Sequence, residues 1–173
     1  MPTCLGMVRY FTLVVCVLAL AGCGSSDGGD SAAEAPRGSA DQLLDGGVPV
    51  YRAKLRELRG RPVVVNKWAS WCPPCRAEFP YFRNQARKLS GKVAFLGVDS
   101  NDNDGDARRF LRELPVGYPS FKDPDAEIAA AFGGAGAFPT TAFYDRKGKV
   151  AFVHQGGYAS ERKLAQDIER YAR

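Results

Sequence analysis

The sequence predicts an α/β domain with a central mixed β-sheet flanked by helices, and with a helix and strand inserted after the first β-α-β unit. Residues 63–68 are a β-branched run without polar alternation, which is typical of a strand covered on both faces. An amphipathic stretch at 76–89 and a second apolar run at 93–98 follow after short links, which predicts a parallel, right-handed β-α-β unit. The segments 140–144 and 150–154, joined by a polar turn, predict an antiparallel hairpin.

Apolar spacing and helix-ending residues predict the remaining elements. Leu55 and Leu58 indicate a short helix at 50–59 that ends at Gly60. We expect a polar loop at 99–105 and, after it, an apolar-faced helix with Asp104 or Asp106 as its N-cap. A short strand at 118–121, a helix at 126–132 and a closing helix at 160–172 complete the domain, which we expect to span residues 41–173.

The N-terminal segment differs in composition from the rest of the chain. Residues 1–22 carry one charge, Arg9, followed by a short apolar run and small residues, so they are predicted to be a signal peptide. Leu20-Ala21-Gly22-Cys23 resembles the bacterial lipobox, in which the cysteine receives the lipid. Residues 23–40, which are rich in glycines and other small residues and have no large apolar side chain, predict a flexible tether between the lipid and the domain. An uncleaved N-terminal anchor helix is the alternative, and both place the domain outside the cytoplasm.

Cysteine usage and charge narrow the classes of function. The chain has five cysteines, of which Cys4 and Cys16 lie in the signal and Cys23 at its end, so the domain retains Cys72 and Cys75. A zinc site needs about four ligands, which one C-x-x-C and a single histidine do not supply. The pair is therefore redox-active or closes a small structural loop. The net charge of +5 comes from dispersed basic residues without a dense run, which indicates a solvated surface and no nucleic-acid partner.

The position of Cys72 and Cys75 suits dithiol chemistry. They stand where a buried strand is predicted to become a helix, and the unpaired N–H groups and dipole of a helix N-terminus favour a thiolate. Such a site lowers a cysteine pKa from about 8.5 to roughly 3.5–7.5. The i, i+3 spacing lets the second sulfur displace whatever the first has attacked.

Two motifs carry a family resemblance. Pro62-Val63-Val64-Val65-Asn66-Lys67-Trp68-Ala69-Ser70-Trp71-Cys72-Pro73-Pro74-Cys75-Arg76-Ala77-Glu78-Phe79-Pro80 resembles the signature of the extracytoplasmic TlpA/ResA/DsbE-type thioredoxins, and Phe138-Pro139-Thr140-Thr141-Ala142-Phe143 resembles their cis-proline segment. The resemblance covers roughly residues 48–172. It implies a thioredoxin fold and a lipoprotein thiol-disulfide oxidoreductase.

The resemblance also implies roles for single residues. Cys72, the more exposed cysteine, is similar to the attacking thiolate, and Cys75 to the resolving thiol. Pro139, expected in the cis form, would lie against the dithiol and leave the Phe138 backbone free to pair with an extended peptide. The implied substrate-binding residues are Trp71, Pro73, Phe138 and Pro139.

The signature contains departures that shift the proton-transfer role. Asn66 stands where ordinary thioredoxins carry a buried acid, and an amide cannot move a proton. Glu78, one helical turn after Cys75, is the residue that the subfamily uses as acid and base, and the alternative is a surface carboxylate next to Arg76. Lys67 occupies a place where the family usually has an aromatic residue. His154 is interpreted as a strand residue without a catalytic role.

The leading hypothesis is an extracytoplasmic, lipid-anchored oxidoreductase that exchanges disulfides with protein substrates, more as a reductant than as an oxidant. Protein thiols or disulfides and a membrane redox partner, either CcdA/DsbD-like or quinone-linked, are the implied partners. A role in cytochrome c maturation stays open, but no motif indicates it. Family members with that role often carry Gly-x-Pro-Glu at the cis-proline, and this chain has Ala137-Phe138-Pro139-Thr140 there. The alternatives are a disulfide-forming oxidase, a non-catalytic partner-binding lipoprotein, and a peroxiredoxin-like peroxidase. No nucleotide, flavin, metal or heme motif occurs in the sequence, so no cofactor is expected.

Overall fold

The computed structural model describes residues 41–173. The predicted signal peptide at 1–22, the predicted lipidation site Cys23 and the predicted tether to residue 40 lie outside these residues. Within 41–173, no helix combines the length and apolar character needed to cross a membrane.

Residues 41–173 form six strands and five helices in an alternating order. The bounds, in chain order, are β1 Leu43–Leu44, α1 Gly47–Glu57, β2 Val63–Trp68, α2 Pro73–Lys88, β3 Ala94–Ser100, α3 Asp104–Glu113, β4 Ser120–Asp123, α4 Glu127–Ala131, β5 Thr140–Tyr144, β6 Val150–Gln155 and α5 Glu161–Tyr171.

The strands form one mixed sheet in the order β1-β4-β3-β2-β5-β6. β2 lies inside the sheet, parallel to β3 and antiparallel to β5. All six residues of β2 are buried, as the unbroken β-branched run predicts. The mixed sheet with flanking helices, and the α3–β4 insertion after β2-α2-β3, confirm the predicted fold class.

The two faces of the sheet have separate apolar cores. Val64 and Trp68 of β2 belong to a core with residues from α2, α3 and α5. Val63 and Val65 belong to a second core with residues from α1 and α4. Successive strand residues point to opposite faces. The side chain of Asn66 therefore lies on the face of Val64 and Trp68, and that of Lys67 lies on the face of Val63 and Val65.

Four local expectations were wrong. The N-cap of α3 is Asn103, whose side chain accepts a hydrogen bond from the Asp106 amide, and neither Asp104 nor Asp106 caps it. The expected loop at 99–105 begins later, because β3 continues to Ser100 alongside β4. β4 starts at Ser120 rather than residue 118, paired on its outer side with β1, a two-residue strand that the sequence pattern did not indicate. α1 starts at Gly47, three residues earlier than predicted, and buries Tyr51.

Candidate active site

Cys72 and Cys75 form a disulfide at the start of α2, with a Cα–Cα distance of 5.3 Å. Cys72 is the N-cap, and its Sγ accepts a hydrogen bond from the Cys75 amide at 3.2 Å. Pro73 and Pro74 occupy the first two helical positions, where an N–H has no partner within the helix. In this oxidised state Cys72 is 2% exposed and Cys75 fully buried. Cys72 therefore holds the position where free N–H groups and the helix dipole stabilise a thiolate.

The segment between β2 and Cys72 is attached to the loop that follows β3. The Ser70 hydroxyl donates to Asp102 Oδ1 at 2.9 Å, and the Ser70 amide donates to the other oxygen of the same carboxylate. The Trp71 indole Nε1 donates to the Asn101 carbonyl at 2.9 Å. These bonds hold Trp71 in place although 55% of its surface is exposed.

The peptide bond between Phe138 and Pro139 is cis, as expected from the motif. A Cβ added to Gly157 would lie 3.5 Å from Pro74 Cβ and 3.6 Å from Pro139 Cγ, so both prolines border the same point. The Phe138 ring lies 4.8 Å from the Trp71 ring, between centroids. The structure thus brings Trp71, Phe138 and Pro139 together beside the first turn of α2, where Pro73 is exposed.

Glu78 is fully buried on the inner side of α2 and is not the surface carboxylate of the alternative interpretation. It accepts hydrogen bonds from Asn66 Nδ2 at 2.7 Å and from the Tyr158 amide at 3.0 Å. Burial raises the pKa of Glu78 to about 7, although the two donors act in the opposite direction. A carboxyl with a pKa near neutrality, one turn from Cys75, has the proton affinity needed to exchange protons with a thiol.

Lys67 is also fully buried, on the other face of the sheet. Its Nζ donates to three carbonyls of the segment before the cis-proline: Gly134 at 2.9 Å, Ala135 at 3.1 Å and Ala137 at 3.1 Å. It also lies 3.7 Å from the centroid of the Phe138 ring. Burial lowers the pKa of Lys67 from its ordinary value.

Asp99 at the end of β3 is a second buried carboxyl near the site. It is 4% exposed, and its Oδ1 has no hydrogen-bond partner. It borders a cavity of about 290 Å³ whose other acidic lining residues include Asp102, Asp104 and Asp123. Burial, reinforced by these neighbouring carboxylates, raises the pKa of Asp99 to about 9.

Sequence reasoning missed the connection between β6 and α5. The Gly156 amide donates to the Pro139 carbonyl at 2.9 Å, and the Tyr158 amide donates to Glu78, so one short loop contacts both the cis-proline and the buried carboxylate. The adjacent glycines at 156 and 157 are the signal that could have pointed to this close approach. His154 lies in β6, as interpreted, with its ring stacked on Tyr158 at 4.2 Å. Within residues 41–173, no three His, Cys, Asp or Glu side chains are grouped to hold a metal ion.

A sheet of this order, with a dithiol at the N-terminus of α2 and a cis-proline beside it, defines a thioredoxin-like protein. The chain belongs to the Redoxin family, whose sequence model matches residues 32–168.

Individual relatives agree with this assignment. The chain is 31% identical over 106 residues to the thiol-disulfide oxidoreductase ResA of Bacillus subtilis, a match that covers 61% of this chain and 59% of ResA. The chain thus spans about three fifths of the length of this curated relative.

Two solved structures share the fold and part of the sequence. A Chlorobium tepidum chain described as thiol:disulfide interchange protein DsbE has 30% identity and a TM-score of 0.62, with 67% of this chain and 83% of that chain covered. A DsbF homologue from Corynebacterium diphtheriae has 29% identity and a TM-score of 0.62, with 67% and 75% covered.

Proposed function

We propose that this protein is an extracytoplasmic thiol-disulfide oxidoreductase that acts on protein substrates, with reduction as its main direction. The observation that carries the proposal is the Cys72–Cys75 pair at the N-terminus of α2, next to the cis-proline. The similarity to ResA and DsbE supports the same chemistry. A disulfide that closes so short a loop would add little stability, which argues against a purely structural role.

In the reducing direction, the Cys72 thiolate attacks one sulfur of a substrate disulfide. A Cys72–substrate disulfide forms, the substrate S–S bond breaks, and the second substrate sulfur leaves as a thiolate that takes up a proton. Cys75 then loses its proton and attacks Cys72 Sγ. The Cys72–Cys75 disulfide forms and the first substrate sulfur leaves. Two electrons have passed from the dithiol to the substrate.

Glu78 is the proposed acceptor of the Cys75 proton. Its carboxylate is held by Asn66 and by the Tyr158 amide, and its pKa of about 7 leaves much of it ionised at neutral pH. Asn66 cannot take this proton, but its amide fixes the direction of the carboxylate that does.

The proposed docking edge for the substrate is the backbone next to Pro139. None of the turn and loop hydrogen bonds found within residues 41–173 involves the Phe138 amide or carbonyl. An extended substrate segment could therefore pair there as an added strand. Trp71, Pro73 and Phe138 would border the bound peptide.

Cys23 is the proposed site of lipidation, with residues 23–40 as the tether. A tether of this composition would let the domain reorient over the membrane surface. A membrane protein of the CcdA/DsbD type would return electrons to the dithiol, whereas a partner linked to quinones would take electrons from it and so belongs to the oxidase alternative. Intact-mass analysis of the membrane fraction should find an acylated chain that begins at Cys23, and an unacylated chain that still carries residues 1–22 would favour an uncleaved anchor.

Insulin reduction with dithiothreitol as electron source tests the activity. The wild-type domain should accelerate reduction, and Cys72→Ser should abolish the acceleration. Cys75→Ala should accumulate mixed disulfides through Cys72, whose partners mass spectrometry identifies. Equal rates with and without the wild-type domain would favour a partner-binding protein.

The reduction potential of the Cys72–Cys75 pair tests the direction. A value near or below about −270 mV supports reduction, because that is the range of thioredoxin itself. A value near about −120 mV would overturn this part of the proposal in favour of a disulfide-forming oxidase.

A further inference from the structure

Lys67 binds the segment that leads into the cis-proline through all of its donors. A lysine ammonium has three N–H donors, and here each meets a carbonyl, of Gly134, Ala135 or Ala137, at 2.9–3.1 Å. Three successive hydrogen bonds to one short segment fix both its position and the direction of its peptide planes.

The Lys67 ammonium also contacts Phe138, a residue that borders the dithiol site. It lies 3.7 Å from the centroid of the Phe138 ring, a distance at which a cation is attracted to the face of the ring. Phe138 packs in turn on the exposed Trp71. Lys67, Phe138 and Trp71 therefore form a continuous series from the inside of the sheet to the surface beside Cys72.

Stability alone does not account for a lysine at this position. The neighbouring side chains on this face of β2 and β3, Val65 and Val98, are apolar and buried. Among the described residues, no carboxylate forms an ion pair with Lys67. Removing an ammonium from water is costly, and an apolar side chain of similar size would fill the space without that cost. What the lysine adds is three hydrogen bonds to carbonyls of the 134–138 segment, which an apolar side chain could not donate.

We propose that Lys67 is a positioning residue that orders the 134–138 segment and the Phe138 ring, and so sets affinity for peptide substrates. The inference rests on the proposed oxidoreductase function. A preordered edge lowers the entropy that binding an extended chain must overcome, so the effect should fall on recognition rather than on the sulfur chemistry.

The test compares Lys67→Met with the wild type in insulin reduction and in hydrogen exchange. Met keeps the unbranched side chain as far as Cε but lacks the Nζ atom, so it donates no hydrogen bond. We expect the KM for insulin to rise about tenfold, with kcat changed less than about twofold, because the loss is one of uniform binding. Exchange of amides in a peptide covering 133–138 should become about tenfold faster. Lys54→Met, which removes an exposed lysine paired with Glu57, should change neither quantity.

Two further variants separate the parts of the arrangement. Lys67→Arg keeps the charge but replaces the three converging donors with a planar fork, so exchange at 133–138 should still accelerate. Phe138→Ala removes the ring and leaves the three carbonyl bonds, so KM should rise without faster exchange. Exchange rates and KM both unchanged in Lys67→Met would overturn the proposal. Exchange does not depend on activity, so an inactive wild type would refute the oxidoreductase function and leave the ordering role of Lys67 measurable.

Discussion

Asn66 and Lys67 are adjacent in β2 and equally buried, yet they serve opposite sides of the sheet. Asn66 donates to the Glu78 carboxylate on α2, in the same layer as Cys75. Lys67 donates to the segment before Pro139, in the other layer. The Asn66 bond orients the carboxylate proposed to take the Cys75 proton. The Lys67 bonds hold the backbone of the segment before the cis-proline.

The difference shows how one strand can support two separate requirements of a dithiol site. Because side chains alternate along a strand, two neighbouring residues reach two elements that are distant in sequence. A change at residue 66 should therefore alter pH dependence, while a change at residue 67 should alter peptide recognition.

The largest expected effect is on the Asn66 side. Glu78→Gln removes the acceptor for the Cys75 proton, so release of substrate from a mixed disulfide on Cys72 should slow by about 10²-fold. In the wild type the rate should rise with pH through about 7, where the carboxyl loses its proton, and the variant should lack this inflection. Single-turnover release between pH 5 and 9 measures both, with the exposed Glu169→Gln as a control. An unchanged titration would remove Glu78 from the mechanism.

Asn66→Asp should have a smaller effect than Glu78→Gln on the same pair of residues. It replaces a donor 2.7 Å from Glu78 with a second carboxyl, so the pair would share a proton and its higher apparent pKa should rise by about one pH unit or more. Because the folded state then holds a proton that the unfolded chain releases, stability should fall with rising pH, by about 1.4 kcal/mol for a pKa that is higher by one. Urea unfolding at pH 5 and 8 measures this loss.

A matched exposed pair supplies the control for that variant. Asn84 donates to Glu161 at 2.9 Å in an exposed position. Asn84→Asp creates the same pair of carboxyls in water, where screening should leave the pH dependence almost unchanged. Equal pH dependence in the two variants would mean that burial is not the cause of the raised Glu78 pKa.

Asp99 is a second buried carboxyl that can be compared with Glu78. Unlike Glu78, it has one oxygen, Oδ1, that accepts no hydrogen bond. Its folded pKa of about 9 lies above the ordinary value of 3.8, so the stability of the fold should decline as pH rises from about 4 towards 9. Asp99→Asn is neutral without taking up a proton, so it should be more stable by roughly 1–3 kcal/mol at pH 8, with a smaller gain at pH 4. Denaturant unfolding at the two pH values tests this, and a gain independent of pH would contradict it. The exposed Asp125→Asn is the control.

The smallest expected effect is on the Lys67 side. Thr140 Oγ1 donates to the Ala137 carbonyl at 2.9 Å, alongside Lys67. Thr140→Val should cost about 1 kcal/mol and accelerate exchange at 133–138 less than Lys67→Met does. Thr141→Val is the matched control, because the buried Thr141 hydroxyl has no partner and its loss should be neutral or stabilising. Faster exchange in Thr140→Val than in Lys67→Met would rank the two contacts in the opposite order.

Local pattern was enough to predict the sheet core, the hairpin and the dithiol. Val63–Trp68 is an unbroken β-branched run and Thr140–Tyr144 ends at a polar turn, and the predicted bounds of both match the structure. β1 was missed because two residues carry no periodicity, and it exists only through pairing with β4. The N-cap of α3 was predicted wrongly because Asn103, Asp104 and Asp106 are all residue types that cap helices well. The position at which the chain bends after β3 decides among them.

The surroundings of the dithiol were harder to predict, because they come from contacts distant in sequence. Lys67 meets carbonyls 67–70 positions later, and Tyr158 meets Glu78 across 80 positions. A departure from the family pattern was visible at residue 67, but its partners lie in a segment without sequence periodicity. The burial of Glu78 likewise depends on the loop at 156–158.

The two tryptophans differ in solvent exposure, so fluorescence can report on the site. Trp68 is fully buried, and Trp71 is 55% exposed beside the disulfide. A water-soluble quencher such as iodide reaches only exposed indoles, so the quenchable part of the fluorescence belongs to Trp71. A peptide docked at Phe138 would shield that indole. Occupancy of the docking edge could then be followed in the unlabelled wild-type protein by the loss of iodide quenching.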